Sequence, residues 1–111
     1  MGAYKLLALA GAIWMALSSS MLARAQTDAS PGQSLAAEVC SECHAVKLGD
    51  LRSPNPDAPS FQELANTPGM SDMTIRVWLQ SPHRTMPLLV LDEEEIDDVS
   101  YYIMSLKPLA P

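Results

Sequence analysis

The sequence predicts an all-α fold, four helices and one long loop, and three observations predict it. No stretch alternates apolar and polar residues for long enough to make a strand. Apolar residues recur instead at helical spacing: Ile96, Val99, Ile103 and Leu106 form one stripe with Tyr102 beside it. Between such segments stand Ser or Asp residues suited to capping, or prolines and glycines suited to turns.

The elements follow in order. "MGAYKLLALAGAIWMALSSSMLARAQ" carries one positive charge at Lys5, an uncharged apolar run from Leu6 to Leu17, and Ala23-Arg24-Ala25 before Gln26. This is the layout of a secretory signal peptide cut after Ala25. The run of 12 residues is short for a membrane span, which takes about 20. After a short polar stretch, Leu35, Ala36, Val39 and Cys43 predict a helix from about Pro31 to Cys43. "KLGDLRSPNPDAP" (47–59) holds three prolines and one glycine, so it is a loop. "SFQELAN" reads as a short helix with Ser60 and Glu63 as a capping box, ended by "TPGM". "SDMTIRVWLQ" is a third helix, capped by Ser71 and stopped before Pro82. "SPHRTMPLLVL" is extended or turn-like. "DEEEIDDVSYYIMSLK" has Asp92 as N-cap, Glu95 at the third helical position, acids in the first turn and Lys107 at the far end.

Charge narrows the function classes. The leader holds two of the seven basic residues and none of the 13 acidic ones, so residues 26–111 carry a formal charge of −8. No basic stripe remains to neutralise phosphates, which argues against nucleic acid. Charged partners of such a protein present basic surfaces. A chain of this size needs a staple for its small core. A disulfide between Cys40 and Cys43 would close a tiny loop and stabilise little, so a bound cofactor explains the pair better.

"AEVCSECHAVK" holds both cysteines, Cys40 and Cys43, followed directly by His44. Three kinds of site use such an arrangement. A dithiol redox pair belongs after a strand in a βαβ setting, which is absent. A zinc site from Cys40, Cys43, His44 and His83 has four donors, but adjacent Cys43 and His44 are awkward joint ligands of a tetrahedral ion. Haem attachment uses every residue: two thiols near one helical turn reach two vinyl groups, and the next residue offers imidazole Nε2 to the iron. The porphyrin also supplies the core that the chain lacks. For the opposite face of the iron, Met86 before Pro87 in "HRTMPLL" is the first choice among Met70, Met73, Met86, Met104 and His83. Met73 reads as core filler on its helix. His83, between two prolines, reads as solvent-facing, with a propionate contact or a pH-dependent ligand switch as the alternatives.

"CSECH", "APSF", "VWLQSP", "TMP" and "EEIDDVSYYIMSL" together resemble the class I cytochromes c, the small soluble monohaem kind of bacterial periplasms. The resemblance covers nearly all of residues 32–107. It implies the cytochrome c fold, with the first and last helices crossing, a long loop wrapped around one covalently bound haem c, and a monohaem domain over 26–111. It implies that Gly32 permits the crossing, with Leu35 or Ala36 facing Tyr102 and Leu106. It implies that the Pro59 carbonyl accepts from the ligating histidine, and that Phe61 and Trp78 pack on the porphyrin. With His44 and Met86 on the iron, the function is one-electron transfer in the periplasm rather than catalysis. The protein is then a monomer that meets redox partners at an exposed haem edge, with no membrane attachment once the leader is cut. The alternatives are a haem subunit of an exported dehydrogenase or oxidase complex, or a sensor or peroxidase if Met86 does not bind iron. The lysine-rich face of the mitochondrial relatives is missing here.

Overall fold

The computed structural model describes residues 29–108, so the leader and its cleavage site lie outside the described residues. Among the described residues there are four α-helices: α1 (Pro31–Leu35), α2 (Phe61–Asn66), α3 (Asp72–Leu79) and α4 (Glu93–Ser105). Among the described residues there is no strand, only an isolated antiparallel bridge between His83 and Met86. No helix among them is long and apolar enough to cross a membrane.

The helix starts follow the chemistry of the caps. The Ser30 hydroxyl accepts from the Gln33 N–H at the start of α1, with Pro31 at the first helical position, where its missing N–H costs nothing. Ser60 and Glu63 form a complete capping box at α2, as do Asp92 and Glu95 at α4. Ser71 caps α3 through the Thr74 N–H. Between α2 and α3, Pro68-Gly69 makes a tight turn closed by Met70 N–H to the Thr67 carbonyl (3.0 Å). Gly69 has φ +78° there, a value that an L side chain rarely adopts.

The first helix departs from its expected course. Beyond Leu35 the chain stays helical through Cys40, but the ladder widens into a π-helical turn, Ala36–Cys40, with Ser41 N–H bonded to the Ala36 carbonyl (3.0 Å). The wider turn shifts the inner face from Val39, which is exposed, to Cys40, which packs against the core. The regular ladder ends there, three residues before the expected Cys43.

α4 is the hub and touches α1, α2 and α3. Its buried face is the predicted stripe: Ile96, Val99, Tyr102, Ile103 and Leu106. Gly32 sits where α1 crosses it. A Cβ at that position would run into the Asp98 carbonyl and stand 2.8 Å from the Tyr102 Cβ. The core is completed by Ala36, Val46, Phe61, Ala65 and Ile75. Arg76 of α3 pairs with Asp97 of α4 across their contact. Met73 is 64% exposed and is not core filler, because the inner face of α3 is given to Ile75 and Leu79.

Candidate functional site

Cys40 to His44 is one turn of chain, closed by His44 N–H to the Cys40 carbonyl at 2.9 Å. Cys40 and Cys43 are both partly buried and are not joined by a disulfide. Burial pushes the Cys40 thiol up to about 11. The same apolar surroundings disfavour a reactive thiolate at Cys40. A thioether carries no charge and suits the same apolar seat. Among the described residues no three His, Cys, Asp or Glu side chains gather as a metal site, so the four-donor zinc set does not assemble.

The loop of residues 47–59 folds back on this turn. Asn55 N–H bonds the Cys43 carbonyl (3.1 Å), and Ala45 N–H bonds Ser53 Oγ (3.0 Å). His44 Nδ1 lies 2.6 Å from the Pro59 carbonyl oxygen. A carbonyl only accepts, so Nδ1 carries the proton, and Nε2 is left as the lone-pair nitrogen. That is the usual state of a metal-binding histidine, with its second nitrogen tied down and its ring angle set. Phe61, buried two residues on, holds its ring 5.4 Å from the imidazole and 6.5 Å from the Tyr102 ring. Tyr102 in turn donates to the Val46 carbonyl (2.7 Å), and burial pushes its phenol upward. The attachment turn is thus locked to α4 through Phe61, Tyr102 and Val46.

Trp78, His83 and Met86 form a second group. The Trp78 indole meets the His83 ring edge-on at 5.0 Å, and His83 Nε2 lies 3.0 Å from Met86 Sδ. Trp78 itself is half exposed. Among the described residues no hydrogen bond or ring contact joins this group to Cys40, Cys43, His44, Pro59 and Phe61. His83 is partly buried rather than solvent-facing, because a tight turn at Arg84-Thr85 folds it onto Met86. The three-residue spacing between two prolines was the available signal. The anchoring roles of Ser53 and Tyr102 had no local signal, since both depend on the return of a distant segment.

The donors present fit a tethered haem: two thiols on one turn, and beside them an imidazole whose second nitrogen is already engaged. The comparisons agree. The family model "Cytochrome c" matches residues 29–107. A cytochrome c-552 from Bradyrhizobium diazoefficiens is 35% identical over 94 residues, covering 85% of this chain and 89% of its own. No solved structure matches the chain.

Proposed function

The chain belongs to the cytochrome c family and carries haem c through Cys40 and Cys43, and from that premise we propose that it is a periplasmic one-electron carrier with His44 and Met86 as axial ligands. Haem supplies the one-electron iron couple. The residues of the chain hold it and close it off. Cys40 and Cys43 act as tethers with no redox role of their own. His44 offers Nε2, oriented by the 2.6 Å contact of Nδ1 with the Pro59 carbonyl, and this contact is the observation that carries the reading. Phe61 backs the imidazole and excludes water from that side. Met86 offers a thioether from the turn after α3, where Trp78 and His83 pack beside it.

With both axial positions filled, substrate has no route to the iron, and outer-sphere electron exchange is the remaining chemistry. Soft sulfur ligation and apolar surroundings both favour the less charged ferrous state, so a positive midpoint potential is expected. Export follows from the leader over residues 1–25 and fits covalent attachment outside the cytoplasm. The test is optical. The ferric wild type should show the weak far-red band of a thioether–haem pair, and Met86→Ala should lose it. A wild type without that band, or a strongly negative potential, removes Met86 from the iron.

A further inference from the structure

Both histidines of the chain have the same preparation, although only one lies in the attachment motif. His83 Nδ1 is 3.0 Å from the Ser81 carbonyl oxygen, just as His44 Nδ1 is tied to Pro59. The proton therefore sits on Nδ1, and Nε2 keeps its lone pair. That lone pair lies 3.0 Å from Met86 Sδ, itself without a proton to offer. Two donor atoms thus converge on one place. The backbone enforces this: His83 and Met86 face each other across an antiparallel bridge, which puts opposite side chains on the same side. Thr85 takes φ +67° to close the turn between them, an uncommon conformation for a β-branched residue. Trp78 packs edge-on against the imidazole and limits its rotation.

We propose that His83 is a reserve axial ligand: when the Met86 thioether leaves the iron, His83 Nε2 takes the sixth position and keeps the haem closed to small molecules. The proposal rests on Met86 being the resting ligand. The two donors stand 3.0 Å apart on one tight turn, so the same short segment of chain presents both. The purpose is to preserve a six-coordinate electron carrier when the iron–sulfur bond opens, at a lower potential, since imidazole favours the ferric state more than thioether does.

The experiment uses the haem-loaded, untagged protein and reads electron paramagnetic resonance of the ferric form and carbon monoxide binding by the ferrous form. His44 and His83 are the only histidines in the chain, so an imidazole at the sixth position of Met86→Ala is His83. Met86→Ala should stay low-spin, resist carbon monoxide and fall in midpoint potential. Met86→Ala/His83→Ala should become high-spin and bind carbon monoxide. A high-spin, carbon monoxide-binding Met86→Ala overturns the proposal and leaves the Met86 reading intact. A low-spin signal unchanged in the double variant also overturns it. A wild type with no thioether band, whose low-spin signal is lost in His83→Ala alone, overturns both, and makes His83 the resting ligand.

Discussion

Gly32 decides how closely α1 approaches α4, and the reason is one missing carbon. Its place faces the Asp98 carbonyl, which is helix backbone and cannot swing aside. Gly32→Ala must push the two helices apart, and should cost about 1–3 kcal/mol by chemical denaturation of the holoprotein. Two neighbouring hydroxyls on α4 predict opposite outcomes. Ser100 is 1% exposed and its Oγ has no partner among the described residues, so Ser100→Ala should be neutral or slightly stabilising. Tyr102 donates to Val46, so Tyr102→Phe leaves a buried carbonyl unpaired and should cost ~1–2 kcal/mol. Thermal melts of the two variants side by side separate the cases. Gly32 was legible only through the family resemblance, while the clustering of Cys40, Cys43 and His44 on one turn could be read from their spacing alone. The partner of Tyr102 and the solitude of Ser100 were not legible, because each depends on which distant backbone arrives.

At the level of elements, caps were legible and ladder geometry was not. The start of α2 needs only Ser60 and Glu63 three residues apart, and the box forms as the spacing requires. The π-helical turn at Ala36–Cys40 has no such marker in the sequence, although it is what turns Cys40 onto the core. The α2 box also carries a pH dependence. The Ser60 backbone N–H, and then its hydroxyl, hold the Glu63 carboxyl below its ordinary value. A lowered folded-state value means the stabilisation is fully present above the ordinary carboxylate range and is lost as pH falls through the folded value. Glu63→Gln keeps an acceptor for the Ser60 N–H but does not titrate. Its stability should fall less steeply on acidification than the wild type's, and equal slopes in urea titrations across that range would remove Glu63 from the acid response.

For the whole molecule, the question is what the acidity is for. Not every acid is available to a partner. Asp92 and Glu95 hold the α4 cap, Glu63 holds the α2 cap, and Asp97 pairs with Arg76. Glu38, Glu42, Glu93 and Glu94 are exposed and take part in none of these contacts. Charge of this kind accelerates encounter more than it tightens the complex. Screening at ~0.15 M salt limits it to about 8 Å. Electron exchange with a basic redox protein should therefore slow by roughly tenfold or more between ~0.01 and ~0.5 M salt, while exchange with an acidic one should quicken. The double variant Glu93→Gln/Glu94→Gln should flatten the first curve and leave the optical spectrum unchanged, since neither residue belongs to the haem-binding groups. A flat salt curve for the wild type would mean that its acids serve solubility and helix starts alone. The encounter would then be guided by contacts other than charge. The sign of the salt effect, measured against one basic and one acidic partner, decides between those two designs whichever protein is the physiological donor.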